Sequence, residues 1–347
     1  DVGLKFPTFL LPFSSLDMRR NIRANTEVTA TMSYRDRPKE YTGIVTGAGF
    51  KYSWSEKFQI KHNFDVLDIS YVNYPKITGE YQDYINSNPT FAYNFEPHLI
   101  MRTGYSGSYS GFTPTKPFRN YTTMNYGVET AGNILQGANS LLGAKPDSTG
   151  AFKVFGIRYA QYVKTDFHIS YHHIYDANNR LVYHAGLGIA IPYGNAERMP
   201  FEKRYFSGGA NSVRGWTAYQ LGPGTYRSPG NYVDYNTQMG DIKLDLNMEY
   251  RTKFFWKLDG AFFLDAGNIW TIRNYVAQPG GVFRFDKFLG QLGIAYGTGI
   301  RADFSFFVLR VDLGLKLFNP ALERTEQWRT KFNANDFAIN LAIGYPF

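Results

Sequence analysis

Cysteine is absent from this 347-residue chain, which excludes disulfide bonds and thiolate metal sites. Long apolar segments are absent too, and an uncharged run such as "FSFFVL" (304–309) is far shorter than the ~18–20 residues of a transmembrane helix. Lys and Arg (37) outnumber Asp and Glu (29), but no run of basic residues concentrates the net charge of +8. The charge is therefore diffuse, and we predict no nucleic-acid partner.

Catalytic patterns are equally scarce. No Ser-His-Asp arrangement and no pair of carboxylates suited to acid–base catalysis stands out, so we predict no enzymatic activity and no cofactor. The stretch "HISYHHIY" (168–175) holds three of the six histidines, and His168 and His172 would share one face of a strand, with His173 on the other. We predict that these are ordinary histidines in a polar interior or at an interface and that they bind no metal. A metal site is the alternative.

Alternation is the strongest pattern that the sequence does contain, and it predicts β-strands, whose successive side chains point to opposite faces. In "IKLDLNMEY" (242–250), apolar residues occupy one face, and charged or amide residues occupy the other. The same division into two faces recurs in "LRVDLGLKL" (309–317), "RLVYHAGLGIAIPY" (180–193) and "FAINLAIGYPF" (337–347).

The length of these segments indicates a membrane. They exceed the ~5–6 residues usual in globular sheets and match the ~9–11 residues with which a tilted strand crosses a bilayer. A soluble sandwich, the alternative, would bury the apolar face between two sheets and would have shorter strands. We therefore predict an all-β protein, a transmembrane antiparallel β-barrel with its apolar face toward lipid and its polar face toward the lumen. The barrel must close, because hydrocarbon satisfies no open sheet edge.

Fourteen candidate strands can be placed along the chain. They are 2–12, 24–35, 41–54, 57–73, 97–110, 119–132, 151–163, 164–175, 180–193, 239–252, 256–270, 289–302, 304–318 and 336–347. The pattern is weak in 1–150, where two further strands would fit. We predict sixteen strands and a single barrel domain over 1–347.

The connections in the second half alternate in length. Long loops at 194–238, 271–288 and 319–335 are separated by tight turns near 253–255 and 303. Bacterial outer-membrane barrels have long extracellular loops and short periplasmic turns. We therefore place the end of the last strand on the periplasmic side, and an even number of strands places the start of the first strand there as well.

The longest of these loops contains "MPFEKRYFSGGANSVRGW" (199–216) and is too long to be a mere connection. Arg214 would be costly in a low-dielectric interior without a partner. Glu249 and Asp265, on strands that follow, lie on faces that should look into the lumen. A loop folded inward would place Arg214 against both carboxylates, with Phe263 covering it. The alternative is a solvated arginine on an extracellular loop.

The quoted stretch resembles the long-loop signature of the outer-membrane assembly-factor superfamily that includes BamA and TamA. That signature is Met-Pro, an aromatic residue, a Gly-Gly pair and Val-Arg-Gly-aromatic. Its positions here are Met199, Pro200, Phe206, Gly208, Gly209, Val213, Arg214, Gly215 and Trp216. Trp216 departs from the Phe or Tyr that is usual in the family. The strand with Glu249, then "FFLDAGNIW" (262–270) and an aromatic last residue follow in the family's order, so the resemblance covers about 195–347.

The resemblance implies a sixteen-stranded barrel in the outer membrane of a Gram-negative bacterium, with Arg214 at the tip of an inward loop and in contact with Asp265. It implies a protein that inserts or exports client proteins. The implied partners are outer-membrane lipid, client proteins and accessory periplasmic or lipoprotein subunits. Members also carry POTRA domains before the barrel, and no alternation of helix and strand patterns indicates one in this chain. "PTFLLPF" (7–13) and the aromatic-rich strands resemble BamA-like proteins of the Bacteroidetes.

In this family the first and last strands meet in a weak seam, where a client strand pairs with an exposed edge. The resemblance places the seam at Gly344, Tyr345, Pro346 and Phe347, where Pro346 lacks an N–H and Gly344 adds no side chain. The alternative is that Pro346 only ends the strand. Three other functions stay open: a secretion pore for a dedicated partner, a passive porin-like channel, and a structural barrel within a larger complex.

Overall fold

The computed structural model describes residues 1–10, 23–38, 40–56, 59–87, 95–228, 237–304 and 306–347. Its strands are β1 (Val2–Phe6), β2 (Arg23–Arg37), β3 (Tyr41–Glu56), β4 (Ile60–Ile77), β5 (His98–Ser110), β6 (Tyr121–Ala131), β7 (Lys153–Val154), β8 (Ile157–Tyr159), β9 (Tyr162–Ile174), β10 (Asn179–Pro192), β11 (Ile242–Phe255), β12 (Leu258–Trp270), β13 (Gly293–Asp303), β14 (Val308–Phe318) and β15 (Phe337–Ile343). The helices are α1 (Gly79–Ser87) and α2 (Asn133–Leu141), with short 3-10 turns at Phe201–Lys203, Phe288–Gln291 and Ala334–Asp336.

These fifteen strands belong to one sheet. Thirteen of them pair in the order β1-β2-β3-β4-β5-β6-β9-β10-β11-β12-β13-β14-β15, which follows the sequence except that β7 and β8 are left out. The registers from β1 to β5 and from β10 to β15 are antiparallel. The protein therefore has the all-β antiparallel architecture that alternation predicts, whereas sixteen strands and a closed barrel stay predictions.

The predicted strand at 151–163 is wrong. The chain forms a small hairpin there, in which β7 and β8 pair antiparallel and β8 also pairs parallel with β5. Phe155 and Gly156, at the turn, have φ values of 52° and 78°. Two successive left-handed residues produce a tight two-residue turn, which divides the segment into short strands.

Several predicted boundaries also need correction. β11 continues to Phe255, so the turn before β12 lies at Trp256 and Lys257 and not at 253–255. β14 begins at Val308, and β15 ends at Ile343 instead of 347. Parts of four predicted elements lie outside the described residues: 11–12 of the first strand, 57–58 of the fourth strand, 229–236 of the long loop and 305 of the thirteenth strand.

One compact unit consists of residues 1–109, 125–165 and 190–203. Within it, Phe9 packs edge-on against Tyr52 in a small aromatic core. Arg102 on β5 donates to Asp65 at 2.9 Å and to Asp68 at 2.8 Å. Residues three apart face opposite sides of a regular strand, but the register of β4 shifts between these two. The bulge therefore brings both carboxylates to one guanidinium.

The other compact unit consists of residues 110–124, 166–189 and 204–347. In its strands the apolar side chains are exposed and the polar side chains are buried, the reverse of a soluble protein. Leu246 on β11 is 40% exposed and Ile339 on β15 is 68% exposed, whereas their neighbours Asn247, Glu249 and Asn340 are buried. A soluble protein buries its apolar faces, so an outward apolar face and an inward polar face match a sheet in lipid, as the alternation predicts.

Candidate functional site

The tip of the long loop, residues 207–217, contains near its start two glycines in the left-handed region. Gly208 has a φ of 88° and Gly209 a φ of 87°, a backbone conformation that costs little only for glycine. A side chain on Gly208 would also collide with the carbonyl oxygen of Thr217. The reversal lets the Gly209 N–H donate to the carbonyl of Trp216 at 2.7 Å. The Gly-Gly pair therefore closes the loop tip into a compact turn.

Arg214 extends from this tip and is fully buried. Its Nε donates to Oδ2 of Asp265 at 2.8 Å, and its Nη2 donates to Oδ1 at 2.8 Å. The backbone N–H of Arg214 adds a third bond to the same carboxylate, at 3.0 Å. The ring of Phe263 lies 3.6 Å from Cζ, within the range of a cation–π contact. β12 supplies both partners because Phe263 and Asp265 are two residues apart and share a face.

Glu249 on β11 is shared by three arginines. Its Oε2 accepts bonds from Nη1 of Arg214 and, at 3.0 Å, from Nη2 of Arg301. Its Oε1 accepts a bond from Nε of Arg251 at 2.6 Å. Both carboxylate oxygens are therefore occupied, and one buried side chain joins the loop tip to β11 and β13.

Asp312 on β14 completes the group. It accepts bonds from Nη1 of Arg301 at 2.6 Å and from Nη1 of Arg310 at 3.3 Å, and Arg214 lies 3.8 Å away. We call the following set the arginine cluster: Arg214, Arg251, Arg301, Arg310, Glu249, Asp265 and Asp312. Four cations and three carboxylates give the cluster a net charge of +1. Each of these buried ions lies beside an opposite charge, as burial of ions requires.

The charge on Arg214 is stable in this position. Burial alone would lower the pKa of Arg214, because it penalises the charged form. The carboxylates of Asp265, Glu249 and Asp312 outweigh burial and raise the pKa of Arg214 above its ordinary value. Arg214 therefore stays protonated at physiological pH.

Polar side chains attach the rest of the tip to the strands. Ser212 donates to Oδ1 of Asp245 at 2.7 Å, and Asn247 donates to the carbonyl of Ser212 at 2.9 Å. Asn340 on β15 donates to the carbonyl of Arg214 at 2.9 Å. Side chains of β11 and of the last strand therefore bond the backbone on both sides of Val213.

The apolar side of the tip packs into a small core of Val213, Trp216, Leu221 and Ala295. Ala295 belongs to β13, and a side chain on Gly215 would lie only 2.6 Å from its Cβ. Apolar, charged and small residues of the Val-Arg-Gly-Trp tip thus make different contacts. Together they join the tip to five consecutive strands, β11 to β15.

Gly314 on β14 permits the closest of these approaches. A Cβ on Gly314 would lie 2.9 Å from the backbone nitrogen of Gly215 and would overlap the Arg214 carbonyl. We expect Gly314→Ala to lower the free energy of unfolding by about 1–3 kcal/mol, the usual cost of overpacking. Urea unfolding in lipid vesicles measures the loss, and limited proteolysis should show a more accessible loop.

Gly127→Ala is the matched control for that substitution. Gly127 also lies in a strand, β6, but its added Cβ would be 3.6 Å from Cβ of Ser106, an ordinary contact. We expect a change of less than about 0.5 kcal/mol. Equal losses in the two variants would mean that Gly314 is not required for the approach of the loop.

The structure brings Arg214 together with Glu249, Phe263 and Asp265, and its burial excludes the solvated alternative. Sequence reasoning did not assign four further members of the cluster: Arg251, Arg301, Arg310 and Asp312. A signal was present, because Arg310 and Asp312 alternate with apolar residues, and Arg251 is two residues from Glu249. Whether these four side chains meet in one cluster depends on the register between the strands, and alternation along a single strand does not predict register.

The residues assigned to the seam do not extend β15. Gly344 has a φ of 87°, and its N–H donates to the carbonyl of Val308 at 2.7 Å. The ring of Phe347 then stacks on His184 on β10, with 4.9 Å between ring centroids. Segment 344–347 therefore leaves the strand and lies on the face that carries the arginine cluster.

No helix in the described ranges combines the length and apolar character needed to cross a membrane.

In the part of the chain that the structure describes, neither His168 nor His172 belongs to a group of three or more His, Asp or Glu placed to hold a metal ion. His168 stacks on His184 at 5.6 Å, and His172 stacks on Tyr121 at 4.2 Å. These histidines therefore pack against other rings.

Known proteins share this sequence pattern and fold. Residues 110–336 match the Omp85 superfamily domain. Over 98 residues the chain is 31% identical to the outer membrane protein assembly factor BamA of Neisseria meningitidis, a match that covers 26% of this chain and 11% of that protein. The crystal structure of BamA from Haemophilus ducreyi lacking POTRA domains 1-3 has the same fold, with a TM-score of 0.61 and 13% identity.

That similarity covers 98% of this chain and 60% of the BamA chain, so the chain corresponds to only part of such a protein. The family match takes in more than half of the chain and includes the loop tip and the whole arginine cluster. The chain therefore belongs to the Omp85 superfamily, whose BamA-like members are assembly and transport factors rather than enzymes, and it is an integral protein of the outer membrane of a Gram-negative bacterium.

Proposed function

We propose that the protein is the membrane-embedded part of an outer-membrane protein assembly factor, which admits client strands at a seam between β1 and β15. In this proposal residues 1–347 act as one outer-membrane domain. Client outer-membrane or surface proteins and accessory periplasmic or lipoprotein subunits are its partners. The likeness to BamA, whose name describes outer-membrane protein assembly, supports this choice over a passive channel.

The shortness of the first and last strands is the observation that carries the proposal. β1 has 5 residues and β15 has 7, whereas β2, β3 and β4 have 15, 16 and 18. β15 pairs with only part of the 11-residue β14. Because both strands are short, only a few backbone hydrogen bonds could join them, so a seam between them would open at low cost. An opened sheet edge then offers unpaired N–H and C=O groups to an incoming strand.

The loop tip has a distinct part in this proposal. It bonds to side chains of β11, β12 and β15 and holds the last strands of the sheet in register. A seam can open without unfolding the protein only when the neighbouring strands are stabilised by other contacts. We propose that Val213, Arg214, Gly215 and Trp216, with the glycine pair before them, provide that support as a loop lock.

Disulfide bonds across the proposed seam test the function. The chain has no native cysteine, so Leu4→Cys can be combined in turn with Ile339→Cys, Leu341→Cys and Ile343→Cys, all on apolar, exposed positions. We expect one pair to cross-link on oxidation and to stop assembly of outer-membrane proteins in cells that depend on the variant. Reduction should restore assembly.

The control is a disulfide beside the seam. Leu313 and Ile339 face each other on β14 and β15, so a bond between cysteines at these positions leaves the edge of β15 free. That variant should keep its activity when oxidised. Full assembly activity in protein with a cross-linked seam would rule out client entry between β1 and β15.

A further inference from the structure

The two aromatic residues that follow β15 pack on cationic and imidazole groups. The ring of Tyr345 lies 4.9 Å from Cζ of Arg180 and 4.7 Å from Cζ of Arg251. The ring of Phe347 lies 5.5 Å from Cζ of Arg251 and stacks on His184 with 12° between the ring planes. Arg251 is therefore the cation that contacts both rings.

Arg251 is also a member of the arginine cluster. Its Nε donates to Oε1 of Glu249 at 2.6 Å, while its Nη2 donates to the carbonyl of Phe347 at 3.4 Å. The other oxygen of Glu249 accepts bonds from Arg214 and Arg301. Glu249 thus holds Arg214 of the loop tip through Oε2. Through Oε1 it holds Arg251, which contacts segment 344–347.

We propose that Arg251 is a positioning residue that couples the loop tip to segment 344–347. With Arg214 in place, Glu249 is held where its second oxygen orients the Arg251 guanidinium against both aromatic rings. When the tip withdraws, Glu249 loses a cation and can move, and Arg251 then loses its fixed orientation. Coupling of this kind is reciprocal, so release of the segment must also weaken the hold on the loop tip.

The inference rests on the proposed function, because segment 344–347 directly follows the edge strand β15 and the coupling would link the loop to the seam. A direct path is the competing explanation, since Arg214 itself lies over the Phe347 ring at 5.9 Å. That separation is longer than either ring contact of Arg251. The test therefore has to separate a path through Arg251 from direct contact.

The experiment measures how often the loop tip opens in purified protein in lipid vesicles, without clients. Ser212→Cys introduces a single thiol at a buried tip position, and its rate of maleimide labelling reports the opening. In that background we expect Phe347→Ala to raise the rate at least about fivefold, the lower end of typical coupling between sites. With Arg251→Met also present, Phe347→Ala should add nothing.

Arg251→Met lowers the net charge of the cluster from +1 to zero, because three arginines then face three carboxylates and each of them keeps an opposite charge beside it. If this variant does not fold, Arg251→Lys replaces it, because one ammonium keeps the charge beside Glu249 but lacks the fork that reaches Phe347 as well. Ile339→Ala, on the exposed face of β15, is the control and should leave labelling unchanged.

Two results would overturn the inference. An unchanged labelling rate in Phe347→Ala would mean that no coupling exists, and independent, multiplied effects of Phe347→Ala and Arg251→Met would indicate the direct path. Neither readout involves client assembly or the seam disulfide. Failure here therefore leaves the proposed function standing, and failure of the seam test leaves this measurement valid.

Discussion

Arg214→Ala is expected to lower the free energy of unfolding by up to about 3–5 kcal/mol, the cost of breaking one partner of a buried ion pair. The loss arises mainly at Asp265, which is fully buried and accepts three bonds from Arg214. The carboxylate of Asp265 accepts one other hydrogen bond in the described part of the chain, from Nδ2 of Asn247 at 2.9 Å. Water that enters the emptied space would solvate the carboxylate and reduce the loss. Urea unfolding in lipid vesicles measures it.

Substitutions at Asp265, and a conservative change at Arg214, show how much of the lost stability comes from the Arg214–Asp265 contact. Asp265→Ala should also destabilise the protein, but Arg214 then still has Glu249 and Asp312 beside it. The double variant should be no less stable than the worse single variant, since both substitutions remove the same contact. Arg214→Lys should restore little, because lysine cannot make the two parallel bonds to Asp265 or stack as a planar group on Phe263.

A matched control separates the cluster from a general effect of losing an arginine. Arg227 lies on the same long loop and is exposed, so Arg227→Ala should change the free energy of unfolding by less than about 0.5 kcal/mol. Simple additivity of Arg214→Ala and Asp265→Ala would contradict a direct energetic link between these residues. A loop that stays as protease-resistant in Arg214→Ala as in the native protein would contradict the loop lock.

The faces of the strands could be predicted because a strand has a period of two and its two sides meet different surroundings. Parity alone places Asn247 and Glu249 on one face of the strand and Leu246 on the other, and their burial agrees. The residues alone predict the approach of Arg214 to Asp265 only as one of two alternatives, because an inward guanidinium needs a carboxylate and β12 offers one beside Phe263. The resemblance to the assembly-factor superfamily favours that alternative over a solvated arginine.

The remainder of the cluster depends on register, which the sequence pattern does not determine. Arg301 meets the carboxylate of Asp312 because β13 and β14 pair Gly299 with Asp312 and Arg301 with Arg310. A shift of two residues would keep every face and break that contact. The sequence pattern also does not predict rare backbone conformations. Phe155 has a φ of 52°, which a phenylalanine rarely adopts, so its residue type gives no sign of the turn.

Leu246→Arg is expected to cost about 2–4 kcal/mol, the penalty for a cation on the lipid face of a strand near the bilayer midplane. Leu246 lies within the 14-residue β11 and is 40% exposed, beside Met248 on the same face. A charged side chain there has to leave water for hydrocarbon or bend toward the headgroups. Urea unfolding in vesicles and the yield of folded protein both measure the penalty.

The control for this prediction is a residue on the same face of β11 that lies nearer the surface of the bilayer. Phe254 lies near the end of the same strand and is 55% exposed, so Phe254→Arg should cost only about 0–1 kcal/mol, as at an interface. Asn247→Arg is unsuitable as a control, because Asn247 bonds Asp265 and the carbonyl of Ser212, and a further arginine would join a cluster that already carries excess positive charge. A lipid face gives a loss that grows toward the middle of the strand. Equal losses at 246 and 254 would instead mean that the outward residues of β11 pack against protein.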